Sequence, residues 1–169
     1  MTAPHVTSES ILLEETRNGV RILRMNRPEK KNALSNDLTR ALVRSVEAAA
    51  SDDEVRVIAL TGVGGAFCSG ADISPRKPTD PKPDSVEKTT DIVVQLVIGM
   101  RVTCEKPVIA GIDGIAIGAG LALAMLADMR LASSAARFHP GYARIGTSPD
   151  SWASMSLLLL PLGSGGLLV

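Results

Sequence analysis

The chain has 169 residues, 45% apolar and 21% charged, enough for one domain with its own core. Eighteen basic and eighteen acidic residues leave no net charge, so no basic face for a nucleic-acid backbone or an anionic membrane surface is expected. One Trp, one Tyr and two Phe give no aromatic platform for stacking bases and make the expected core aliphatic. The two cysteines, Cys68 and Cys104, lie in apolar context and form no disulfide framework, which points to buried thiols in a reducing cytoplasm. The start carries no charged-then-apolar signal pattern, and the apolar run Leu157 to Leu162 is far short of the ~20 residues a spanning helix needs.

Residues 1–9 are polar and expected to be loose. Ile11 to Leu13 and Val20 to Met25 read as strands joined by a turn at Asn18-Gly19, a strong hairpin signal. In the second run apolar residues alternate with Arg21 and Arg24, so one face should be wet. A loop over residues 26–34 leads to Ser35 or Asn36 as the cap of a helix to about Ala50. Leu38, Ala41, Leu42, Val46 and Ala49 fall on its inner face. Val55 to Thr61 is a β-rich run expected to be buried. Residues 66–73 then read as a second strand, a glycine turn at Gly70 and a helix start. The proline-rich stretch 74–84 predicts an extended loop.

Ser85 should cap a helix to about Cys104, with Ile92, Val93, Leu96, Val97 and Met100 inward. Pro107 to Ile112 is a strand turning at Asp113-Gly114. Gly118-Ala119-Gly120 then opens a helix of small and aliphatic residues. Its first amides have no intrahelical partner and are free to meet an anion or a polarised carbonyl, although tight helix-on-sheet packing also accounts for such a turn. Residues 128–132 form a short strand, 138–146 are irregular, and Thr147 to Asp150 resemble a helix start. The order predicts an α/β domain in which a strand–turn–helix unit recurs.

These residues carry an ordered set of motifs: Met25-Asn26-Arg27-Pro28 with Asn32-Ala33-Leu34, then Gly65 to Ile73. Lys106 to Ala110 with Asp113-Gly114, Gly118-Ala119-Gly120, Asp128 with Arg130-Leu131-Ala132, Ala136-Arg137-Phe138 and Ile145-Gly146 follow. The set resembles the crotonase superfamily, the enoyl-CoA hydratase/isomerase family, over roughly residues 10–162. The resemblance implies a spiral of strand-strand-helix repeats and an acyl-CoA thioester as substrate. Coenzyme A is then part of that substrate, and no separate cofactor or metal is implied. Such folds assemble as trimers or dimers of trimers through C-terminal helices. Residues 163–169 read as a truncated or rearranged end, so a fragment, a shortened member and a chain covered by another subunit all stay open.

The resemblance also implies an oxyanion hole from the backbone amides of Ala71 and Ala119. Fixed donors of this kind meet the charge that a thioester carbonyl gains as it becomes an enolate. Ala71, Asp72, Ile73 and Ser74 match the family's contact with the adenine and pantetheine portion of coenzyme A. Arg24, Lys30 and Lys31 stand where they could meet its phosphates, or serve as solvated surface charge. The pattern departs from a hydratase at two positions. Ala122 stands two residues after the glycine turn and Tyr142 four residues after Phe138, where a hydratase has its glutamates. Neither is a carboxylate, so paired-glutamate hydration is disfavoured. Asp150 is the remaining candidate, as proton-transfer base, as nucleophile or as a helix cap. Tyr142 could hydrogen-bond substrate, and His139 could carry a proton or simply pack at the surface. The expected activity is isomerase-type proton transfer. Hydratase, thioester hydrolase, dehalogenase and an inactive CoA-binding protein are the alternatives.

Overall fold

The structure is a computed structural model that describes residues 10–75, 85–146, 148 and 167–168. Asn18 and Gly19 both take positive φ, as a tight two-residue hairpin requires. They join β1 (Leu12–Arg17) to β2 (Val20–Met25) in an antiparallel pair running from Leu12↔Met25 to Arg17↔Val20. Strand β1 extends beyond the apolar Ile11 to Leu13 because cross-strand charge pairs support its polar end. Arg24 bonds Glu15 at 3.0 Å, and Arg21 reaches both Glu14 and Asp52. Leu23 and Met25 are buried while Ile22 and Arg24 are only partly covered, so the expected wetter face exists.

Helix α1 (Asn36–Ala50) begins where the sequence places it: Ser35 Oγ accepts from Leu38 N at 3.2 Å. Its inner face buries Leu38, Leu42, Val46 and Ala49 against the sheet, with Ala41 at the margin. Ser35→Ala is expected to lower unfolding stability by about 1 kcal/mol, read as a shift of the urea midpoint at unchanged m. Strand β3 (Val57–Gly62) pairs parallel with β2, and β4 (Val108–Ile112) pairs parallel with β3. Helix α2 (Val86–Ile98) is capped by Ser85 and buries Ile92, Leu96 and Val97. It does not run on evenly to Cys104. Residues Gly99–Thr103 widen into a π turn that still buries Met100, and Cys104 is only partly buried.

After β4 come β5 (Ile115–Ile117), α3 (Ala119–Leu126) and β6 (Met129–Ala132), which pairs parallel with β4. Helix α3 is apolar all round and buries Gly120 and every residue from Ala122 to Leu126. Strand β7 (Arg137–His139) pairs with β5 in a two-stranded sheet, where the sequence suggests only irregular chain. Its three residues are all exposed and carry no alternation to read. Strand β8 (Leu167–Leu168) completes a six-stranded sheet of order β1-β2-β3-β4-β6-β8, parallel except for the first pair. The aliphatic core lies between this sheet and α1, α2 and α3.

The second predicted helix start is not there. Ala71 forms an isolated bridge with Leu34, and the chain from Asp72 to Pro75 has no helical turn. Leu34 already holds the groups on either side of Ala71, and a proline three residues after Asp72 disfavours helical geometry at Ser74. The expected loop over residues 76–84 and helix start at Thr147 to Asp150 fall outside the described residues. No helix among the described residues is long and apolar enough to cross a membrane.

Candidate active site

The site is built from the loop that follows β2. Pro28 opens a single 3₁₀ turn, and Lys31 and Asn32 then take left-handed φ of 49° and 57°. That reversal sends the Asn32 side chain inward, where it is fully buried. Its Nδ2 donates to Val63 O at 2.9 Å and Ala66 O at 2.7 Å, while its Oδ1 accepts from Arg27 N at 2.9 Å. The loop is thereby fixed to the segment leaving β3. A ladder of main-chain bonds then grips residues 69–72. Ser69 N donates to Lys31 O at 3.0 Å, Leu34 N to Gly70 O at 2.8 Å and Asp72 N to Leu34 O at 3.0 Å.

This ladder decides where the Ala71 amide points. Gly70 C=O and Ala71 N–H belong to one planar trans peptide and face opposite ways. With Gly70 O held on Leu34 N, the Ala71 N–H is turned away from Leu34. The Ala119 amide is aimed by a different device. Gly118 has φ 54° and ψ −121°, a conformation open to glycine and costly for L side chains. Its carbonyl accepts from Ala122 N at 3.0 Å and so starts α3, which leaves Ala119 N–H projecting from the helix's first turn.

Main-chain contacts lock the two turns together. Cys68 N donates to Ile115 O at 2.9 Å, and Ile117 N donates to Cys68 O at 3.0 Å. A methyl group placed on Gly70 would stand 2.8 Å from Ile117 O and 3.6 Å from Ala119 N. Ala71 and Ala119 line one cavity of about 210 Å³, whose walls come from the start of α1 (Asn36, Thr39), from α2 (Thr89, Val93, Leu96, Val97) and from α3 (Leu123, Leu126). Ala71 and Ala119 thus share one mostly apolar cavity, each standing next to a positive-φ glycine. Asn36 Nδ2 donates to Thr89 Oγ1 at 3.1 Å and ties the first turns of α1 and α2 across its mouth.

The other sequence candidates are placed unevenly. Asp72 lines the cavity, but its carboxylate is taken up by protein: Arg27 Nη2 lies 2.7 Å from Oδ2, and Ser74 N donates to Oδ1 at 3.1 Å. Burial works to raise this carboxyl, and the bonds from Arg27 and Ser74 outweigh it, holding the pKa at about 2. A lowered carboxyl contributes stability that is complete above its unfolded value of 3.8 and is lost as pH falls toward about 2. Asp72→Asn is therefore expected to flatten the acid limb of stability, measured as urea midpoints through that range.

Ile73 is 71% exposed beside the cavity. Lys30 Nζ reaches Ser74 Oγ at 3.0 Å, which brings those two candidates together at the rim. Arg24 is not with them, because it pairs with Glu15 on the hairpin. Tyr142 is 8% exposed in a short 3₁₀ turn and packs against fully buried Ala122. His139 is exposed, and its carbonyl accepts from Gly118 N. Asp128 is structural, accepting from Arg101 Nη1 and from Val108 N. Burial pushes the Cys68 thiol up to about 11, so it is no nucleophile. Asp150 lies outside the described residues. Arg27 and Asn32 stand in the motif set, but the sequence alone assigns them no role. Their role rests on contacts with residues 31 to 45 positions away. Among the described residues no group of acidic, His and Cys side chains could hold a metal ion.

Residues 15–159 match the family model described as Enoyl-CoA hydratase/isomerase. The chain is 34% identical over 144 residues to a 1,2-epoxyphenylacetyl-CoA isomerase of Escherichia coli, covering 82% of this chain and 53% of that protein. It is 35% identical over 166 residues to a probable enoyl-CoA hydratase of Mycobacterium leprae, covering 93% and 55%. A solved structure of a putative enoyl-CoA hydratase/isomerase family protein from Hyphomonas neptunium superposes with TM-score 0.79 at 30% identity, over 89% of this chain and 58% of that one. The chain thus spans about half the length of the curated relatives it matches.

Proposed function

The chain belongs to the enoyl-CoA hydratase/isomerase family and has its mixed α/β crotonase fold, and we propose that it is an acyl-CoA enzyme catalysing proton transfer between carbons of an enoyl thioester. The observation that supports this reading is that Ala71 and Ala119 line one cavity and stand on two turns held together by main-chain bonds. A thioester carbonyl at that end of the slot accepts from both, and the acyl chain lies between α2 and α3. As the proton leaves the carbon next to the carbonyl, negative charge builds on the oxygen. Each donor then contributes on the order of 3 kcal/mol of stabilisation at no reorganisation cost. Asp150 is the base that takes the proton from one carbon and returns it to another. Lys30, held beside Ser74 at the rim, meets a phosphate of coenzyme A.

Migration of the double bond is preferred over hydration because of what stands at positions 122 and 142. Hydration by two carboxylates needs an activated water held between them. Here Ala122 and Tyr142, neither a carboxylate, pack against each other instead and supply no such pair. The relatives named as a 1,2-epoxyphenylacetyl-CoA isomerase and as a probable enoyl-CoA hydratase support the acyl-CoA class alike.

The test is to incubate the chain separately with a 3-enoyl-CoA and a 2-enoyl-CoA. Expected is interconversion of the two without 3-hydroxyacyl-CoA, and a fall of 10²-fold or more in Asp150→Asn, the low end for a general acid–base group (roughly 10²–10⁴). Rapid hydration that survives Asp150→Asn overturns the reading. Tight binding of both thioesters without any product favours a CoA-binding protein.

A further inference from the structure

We propose that Arg27 and Asp72 form a latch that positions the Ala71 amide, so that the ion pair controls how strongly the cavity polarises a thioester carbonyl. The inference rests on the reading of Ala71 as an oxyanion donor and assigns a role that this reading leaves open.

Ala71 has no side chain with which to fix itself. Its N–H lies in the Gly70–Ala71 peptide plane, the Ala71–Asp72 plane follows directly, and both planes are held through the β2 exit loop. Gly70 O is bound by Leu34 N. Asp72 is held three ways: its N on Leu34 O, its Oδ2 on Arg27 Nη2 and its Oδ1 on Ser74 N. Arg27 also donates through Nη1 to Ala33 O, the residue just before Leu34. One guanidinium therefore grips both sides of the ladder that turns Ala71. The arginine follows β2 by two residues, so the grip is anchored to a strand paired on both sides. Both side chains are about five-sixths covered, with relative exposures of 16% and 17%, so solvent screens the pair little.

The pair has an electrostatic duty as well. A carboxylate one residue from an oxyanion donor opposes the charge the site must stabilise, and Arg27 cancels it. The two halves of the latch are thus unequal. Asp72→Asn keeps the shape and loses one charge-assisted bond. Arg27→Met leaves a half-buried carboxylate beside the hole and costs more. Removing both relieves the repulsion, so the double variant should outperform Arg27→Met.

Two readouts on the full chain test this. The first needs no substrate: amide hydrogen exchange at Leu34 and Asp72, the two donors of the ladder. Exchange about tenfold faster in Arg27→Met and Asp72→Asn, with Leu60 in the core unchanged, is expected. The second is the absorption shift of bound cinnamoyl-CoA, whose conjugated carbonyl reports polarisation, with S-butyl-CoA as a ligand lacking that carbonyl. The shift per bound ligand should fall in the order wild type, Asp72→Asn, double variant, Arg27→Met, with S-butyl-CoA affinity measured on each variant to set its occupancy, and Arg27→Lys rescues in part. Unchanged exchange overturns the latch. Faster exchange with an undiminished shift in the variants overturns its positioning role. Faster exchange with no shift in the wild type sustains the latch and instead defeats the oxyanion reading of Ala71.

Discussion

Gly120→Ala is expected to lower kcat by roughly 10²- to 10³-fold, the loss that follows when one oxyanion donor is displaced. The substitution ought to help α3 if local propensity ruled, since alanine is better than glycine in a helix by about 1 kcal/mol. Packing decides otherwise. A Cβ on Gly120 would sit 2.3 Å from Cys68 O and 2.8 Å from Cys68 Cβ. Cys68 cannot retreat, because its N–H and C=O are bonded to Ile115 and Ile117. The helix start must move instead, by about 1 Å for an ordinary contact, and Ala119 moves with it. Misplacement on that scale costs about 10²-fold in well-oriented reactions. Overpacking adds a stability loss of about 1–3 kcal/mol. Gly99→Ala is the control, since the nearest atom to its added methyl is Val46 Cγ1 at 3.7 Å. It should leave kcat unchanged. A Gly120→Ala enzyme with wild-type kcat would mean that the two turns are not a rigid unit.

The contrast between these glycines shows what the sequence carries and what it does not. Local signals are legible because they are local: Asn18-Gly19 for the hairpin, Ser35 and Ser85 for helix starts, and unbroken aliphatic runs for β3 and β4. The glycine turn before α3 is legible as well, because a helix of small residues follows it at once. Gly70 has similar neighbours, and the same pattern there suggests a helix that does not form. What differs is tertiary: Leu34 reaches from 36 positions upstream in the chain and takes both flanking groups of Ala71. Strand β7 is hidden for a related reason, since three exposed residues become a strand only because β5 lies alongside. That Ala71 and Ala119 share a cavity was thus recoverable from motif order, whereas Arg27 and Asn32 stand in the motif set with no local sign of what they bind.

Asn32→Asp is expected to destabilise the fold by about 3 kcal/mol or more at neutral pH while changing almost no volume. The Asn32 amide nitrogen is the donor to both Val63 O and Ala66 O inside a fully buried site. A carboxylate puts an anion against two carbonyl oxygens, and each buried acceptor left unpaired costs roughly 1–3 kcal/mol. The backbone offers no objection, since aspartate tolerates the left-handed φ of 57° almost as well as asparagine. The loss is therefore a pure test of the donor. It should also depend on pH in a definite direction. In the unfolded chain the new carboxyl ionises near 3.9. In the fold, burial and the two carbonyls favour its protonated form and raise its pKa. Stability then declines as pH rises above about 4 and levels off only beyond the raised folded value. Near pH 4 the protonated acid can still donate one of the two bonds, so part of the loss is recovered there. Urea midpoints that match wild type throughout would show that Asn32 is not what joins the loop to the β3 exit. If the midpoint falls as expected, exchange at Leu34 N should rise with it. The loop that this contact anchors also carries Leu34, which bonds the groups on either side of Ala71.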